Sequence, residues 1–162
     1  MIAVLARESS APQGAITFRN LVWGSTRRSV RGALRANGLR WFAATPDDFY
    51  RGRFDADGVT VECVFTPDDP LAFVRVVFDR QSGAAAILAA TKRRYGNPVS
   101  CDAGATRCRW ERGDPAVTYE TEGDPHAPPG QASLEYTAGG SLAAAYSEQT
   151  NDSERDNDRS GF

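Results

Sequence analysis

Few residues in this chain have the type and setting for chemistry. His126 is the single histidine of 162 residues. It sits in Asp124-Pro125-His126-Ala127-Pro128-Pro129, with no serine or cysteine nucleophile near it in sequence. A loop histidine in that setting reads as an exposed contact residue, not as a general base. The pairs Asp47-Asp48 and Asp68-Asp69 border prolines, where aspartate starts turns through its own side chain. Asp55-Ala56-Asp57-Gly58 begins like a calcium loop but runs on into Val59-Thr60-Val61, a strand pattern. Neither the P-loop nor the dinucleotide glycine pattern occurs. Three cysteines are present, too few for a zinc site without a histidine pair. Cys63 alternates with Val59, Val61 and Phe65 and reads as a small core residue. Cys101 and Cys108 are seven residues apart across a loop containing Gly104. They would pair as a disulfide in an oxidising compartment and stay reduced in the cytoplasm. No catalytic residue, metal or cofactor is expected.

The sharpest positive feature is basic. Arg27, Arg28, Arg31 and Arg35 recur at helical spacing and form one guanidinium stripe. Such a stripe can grip phosphates or an acidic partner. It can equally be a solvated helix face, and that plain reading has the greater weight. Trp41 and Phe42 are adjacent, so in a strand they face opposite sides, leaving one on the open face as a mark of a partner site. Arg27, Arg28, Arg31, Arg35, Trp41 and His126 are therefore the candidate partner-binding residues.

The elements that must position these residues follow from periodicity. Ile16, Phe18 and Leu21-Val22-Trp23 suggest a first strand. Ser25 or Thr26 caps a helix whose Val30, Ala33 and Leu34 face the core, and Gly38 ends it. Residues 39–44 and 49–54 read as strands. So do 59–65, after the Asp57-Gly58 turn, and 71–78, apolar apart from Arg75 as a central strand would be. A second helix spans about 83–95, with Ala84, Ile87, Leu88, Thr91 and Tyr95 on one face. Gly96-Asn97-Pro98 stops it, three more strands follow, and 141–146 suggests a short helix. The expected fold is α+β, with two helices packed on one face of a largely antiparallel sheet. Division near residue 80 suggests two helix-plus-strands units. Residues 1–14 read as a flexible lead-in, 15–146 as one domain and 147–162 as a disordered acidic tail.

Charge narrows the function classes. Net charge is −2. The tail holds Glu148, Asp152, Glu154, Asp156 and Asp158 against Arg155 and Arg159, a net of −3, so the remainder carries +1. That near-neutral body lacks the basic excess of a nucleic-acid binder. The tail is long enough to fold over the arginine stripe, which would be a weak, salt-sensitive contact. No apolar run is long enough to span a membrane. The apolar start, Met1 to Ala6, is too short for an export signal and implies the cytoplasm. Read as the stump of a longer signal behind a misassigned start, it implies export to the periplasm.

Trp23-Gly24-Ser25 with Val30, Leu34 and Gly38 resembles the helix start of small bacterial envelope domains. Val59-Thr60-Val61, Phe65, Leu71, Val74, Val76 and Phe78 resemble their paired strands, and Tyr95-Gly96-Asn97-Pro98 and Trp110 fit the same pattern. The resemblance, over residues 16–137, is to β-lactamase-inhibitor-protein-like and outer-membrane-assembly-lipoprotein-like domains and to uncharacterised exported proteins with this helix start. It implies a helix-on-sheet fold whose open sheet face or loops bind another protein, and it carries over no site residue. The expected function is a non-enzymatic protein-binding module using the uncovered sheet face or the proline-rich loop 123–130. The alternatives are a nucleic-acid-associated or regulatory protein using the arginine stripe, and an enzyme whose site assembles only in the fold.

Overall fold

The computed structural model describes residues 16–44, 49–66, 70–79, 82–121, 131–140 and 142–145. Helix α1 (Arg27–Ala36) precedes β1 (Arg40–Ala44), β2 (Phe49–Phe54), β3 (Val59–Phe65) and β4 (Leu71–Phe78). Helix α2 (Ala84–Tyr95) precedes β5 (Ser100–Cys101), β6 (Arg107–Glu111), β7 (Ala116–Thr121) and β8 (Ala132–Thr137). Each helix is thus followed by a four-strand meander. The last strands of the two meanders pair antiparallel, giving one eight-stranded sheet of order β1-β2-β3-β4-β8-β7-β6-β5. No helix among the described residues is long and apolar enough to cross a membrane.

The register sorts side chains onto two faces, because successive residues of a strand alternate. One face carries the rows Tyr50, Cys63, Val74, Tyr136, Val117, Trp110 and Gly52, Val61, Val76, Leu134, Tyr119, Cys108. Both helices lie on this face: the Arg31 guanidinium stacks over Tyr50, and the Tyr119 hydroxyl donates to the Ala84 carbonyl at 3.1 Å. Val30 and Leu34 of α1 and Ile87, Ala90, Thr91 and Tyr95 of α2 are buried against it. Cys63 belongs to this core, and burial pushes its thiol up to about 12, so it is inert at neutral pH.

The helix ends follow the sequence signals. The Thr26 hydroxyl accepts from the Ser29 amide at 3.3 Å, satisfying one of the orphan donors of α1. Gly38 takes φ +93°, which lets the chain reverse into β1. Ala33, expected on the core side, is exposed. Of the residues of α1, only Val30 and Leu34, four apart, are buried.

Two further expectations need correction. Residues 16–23 are not a strand, because Arg19 and Asn20 both take positive φ, 48° and 58°, and fold the segment back on itself. Ile16, Phe18 and Leu21 are buried all the same, while Val22 is exposed, and Phe18 packs on Phe54 and Tyr136. Arg19 is held by Asp57 at 2.9 Å and lies over the Phe54 ring at 3.8 Å. After α2 there are four strands, not three. The extra one, β5, is two residues long and ends at Cys101, which is joined to Cys108 by a disulfide across the β5–β6 pair.

Candidate functional site

The arginine stripe and Trp41 come together. Arg27, Arg28, Arg31, Gly32, Arg35 and Trp41 line one open groove of about 510 Å³ between α1 and β1. Trp41 opposes Gly52 in the register, which puts it on the helix-covered face, and its ring meets Tyr50 edge-on at 5.9 Å. A bulge between Trp41 and Ala43 leaves Phe42 as the unpaired residue of this edge strand, and Phe42 is 55% exposed.

The arginines of the groove differ from those of the sheet. On the open face Arg51, Glu62, Arg75 and Glu135 stand opposite one another across four adjacent strands, with alternating sign. Arg51 binds Glu62 through Nε at 2.8 Å, and Arg75 lies 3.9 Å from Glu62 and 3.6 Å from Glu135. Arg40, Arg53, Arg107 and Arg109 also reach carboxylates, at Asp55, Asp79, Glu120 and Glu111. In contrast, Arg28, Arg31 and Arg35 have no carboxylate partner among the described residues. Arg31 is instead stacked 5.0 Å from the Tyr50 ring centre, and Arg27 5.6 Å from that of Phe65.

Trp41 is distinguished in the same way. The indole N–H of Trp23 donates to the Ile16 carbonyl at 3.0 Å, and that of Trp110 to the Gly96 carbonyl at 2.9 Å. The Trp41 indole nitrogen is shielded from water and has no acceptor among the described residues. A buried donor without an acceptor costs about 1–3 kcal/mol. Gly32 adds to the opening: nothing lies within 4 Å of where its Cβ would stand. Glycine inside an exposed helix costs about 1 kcal/mol relative to alanine, and no packing in the fold requires it at this position.

No protein-family model matches this chain. No curated protein matches it in sequence either. Among solved structures it is similar to the crystal structure of a DUF4309 family protein (YjgB) from Bacillus subtilis, at 12% identity and a TM-score of 0.49, over 85% of this chain and 97% of that one. The inhibitor-protein-like and assembly-lipoprotein-like resemblance is not shown by these comparisons.

The other residues singled out in the sequence are not part of the groove. Among the described residues no group of histidine, cysteine and carboxylate side chains could hold a metal. Cys101 and Cys108 lie at the opposite edge of the sheet, in the pair β5–β6. His126, the loop 123–130, Asp47-Asp48, Asp68-Asp69 and the tail 147–162 fall outside the described residues. Sequence reasoning missed Gly32 and Tyr50 as parts of the site, because neither carries a charge. The helical spacing of Gly32 between Arg28 and Arg35 was the available signal. It also missed the charge row of the open face, which shows only as polar residues at alternate strand positions.

That row has a titration consequence. Burial, aided by the nearby Glu120 charge, raises the Glu135 carboxyl above its ordinary value of 4.5, and the attraction of Arg75 and Arg107 only partly offsets this. A carboxylate raised on folding destabilises the fold in its ionised form. The penalty is absent at pH values below 4.5, where the group is protonated folded and unfolded, and develops as pH rises through the raised value. Glu135→Gln, which mimics the protonated form, is therefore expected to gain stability relative to the native chain as pH rises from about 4 to about 7. Urea unfolding across that range checks it, and a constant or shrinking gap would contradict it.

Proposed function

We propose that this protein is a non-enzymatic binding module and that the α1–β1 groove holds an acidic segment of a protein partner. The observation that carries this reading is the contrast in partners. The sheet's arginines are matched by carboxylates, whereas Arg28, Arg31 and Arg35, which line one groove with Trp41, have no carboxylate partner among the described residues. Carboxylates arriving from a partner would supply acceptors to these three arginines. Arginine and tryptophan in one partly buried site are also the residue types that dominate protein interfaces. The uncovered sheet face, expected from the sequence to be the contact surface, is less suited, because a partner there would have to break existing pairs.

Nucleic acid is the second reading of an arginine stripe. The body of the chain carries only +1, and α1 with its ten residues is about 15 Å long, which reaches few phosphates.

Fluorescence anisotropy with a labelled polyglutamate peptide and with single-stranded DNA, each at low and high salt, separates the readings. The peptide is expected to bind the native chain. The double variant Arg28→Glu, Arg31→Glu is expected to weaken it by about 100-fold or more, since losing a central interface residue costs about 2 kcal/mol or more. Tighter binding of DNA than of peptide would overturn the choice of partner. Peptide binding unaffected by the double variant would remove the groove from the account.

A further inference from the structure

We infer that the acidic segment 147–162 of this same chain occupies the α1 groove and must be displaced by an incoming partner. The inference rests on the groove being a site for acidic polypeptide. Its first support is where the described chain ends. Residues 142–145 are helical, and the Leu142 Cδ1 lies 3.8 Å from the position a Cβ on Gly24 would take. Gly24 belongs to the turn that leads into α1, two residues before the Thr26 cap. The last described residues, 142–145, therefore lie beside the turn that enters the arginine helix.

The second support is charge. Segment 147–162 carries five carboxylates against two arginines, a net of −3. The groove presents Arg27, Arg28, Arg31 and Arg35, of which the last three have no carboxylate partner among the described residues. The third is reach. A segment of that length spans up to about 50 Å when extended, several times the length of α1. Tethered so close, its effective concentration at the groove is of millimolar order. A weak contact is then occupied much of the time, and the charge-charge attraction makes it sensitive to salt.

Two readouts on the full chain test this. In the first, the tail charge is removed by E148Q, D152N, E154Q, D156N and D158N together, keeping its length. Polyglutamate peptide is expected to bind this variant about tenfold more tightly than the native chain at low salt, with the difference vanishing at high salt. In the second, a nitroxide on Ser153→Cys is expected to broaden the amide resonances of Arg27–Ala36 more than those of β6. Excess peptide should relieve that broadening. Equal peptide affinities with no selective broadening of α1 would overturn the tail contact while leaving the groove's reading intact. Broadening of α1 that saturating peptide does not relieve would overturn the competition. Failure of the peptide to bind either form would overturn the reading beneath it, and the inference with it.

Discussion

Replacing Trp110 with alanine is expected to lower the unfolding free energy by about 3–5 kcal/mol, a large part of a domain's total stability. Trp110 is 2% exposed and faces Val117 across β6–β7, on the face covered by the helices. Its indole N–H donates to the Gly96 carbonyl, which ties the end of α2 to the sheet. Most of the loss comes from the cavity, because Gly96 is exposed and water can satisfy its carbonyl. Trp110→Phe, which keeps most of the ring volume, should therefore cost much less. Urea unfolding checks both. A midpoint shift at constant slope is the expected signature, and a loss below about 1 kcal/mol for the alanine variant would contradict the packing described.

The second large effect is expected at Gly139. A Cβ there would collide with the Asp114 Cβ and would stand 2.7 Å from the Asp114 carbonyl carbon and 2.8 Å from its Cα. Two of these three atoms are backbone, so the clash cannot be relieved by a rotamer change. Asp114 lies in the turn between β6 and β7, where Gly113 takes φ +65°. The segment 138–140 leaves β8 and starts the chain toward the helical residues 142–145. Gly139→Ala is expected to destabilise by about 3 kcal/mol, the upper end of ordinary overpacking. Loss should be confined to stability: amide shifts of α1 and β1 should stay unchanged in the folded variant. A Gly139→Ala chain as stable as the native one would show that the two segments are not in close approach.

The strands β2 to β4 were legible because each alternates or is continuously apolar between strong turns. Val59, Val61, Cys63 and Phe65 are buried at every second position. Helix α1 was legible from Thr26, Gly38 and the spacing of Val30 and Leu34. The segment 16–23 was misread because its apolar residues obey a strand pattern while Arg19 and Asn20 take left-handed backbone. That conformation is set by tertiary contacts of Arg19 with Asp57 and the Phe54 ring, which no local pattern reveals. Strand β5 was missed because two residues carry no period. In the groove, the arginine stripe was visible from helical spacing. Its junction with Trp41 depends on how α1 lies across β1, and Phe42 is left out of the ladder by a bulge that periodicity cannot predict. Which arginines are matched by carboxylates among the described residues became clear only from the sheet register and the ion pairs it allows.

The most direct measurement is a titration of the isotope-labelled full chain with polyglutamate peptide, followed by proton–nitrogen correlation spectra. The indole N–H resonances of Trp23, Trp41 and Trp110 report separately. The account predicts that the Trp41 indole moves, together with the backbone amides of Arg27–Ala36, while the Trp23 and Trp110 indoles, already bonded to carbonyls, stay in place. Shifts confined to the Arg51, Glu62, Arg75 and Glu135 row would place the contact on the open sheet face and contradict the account.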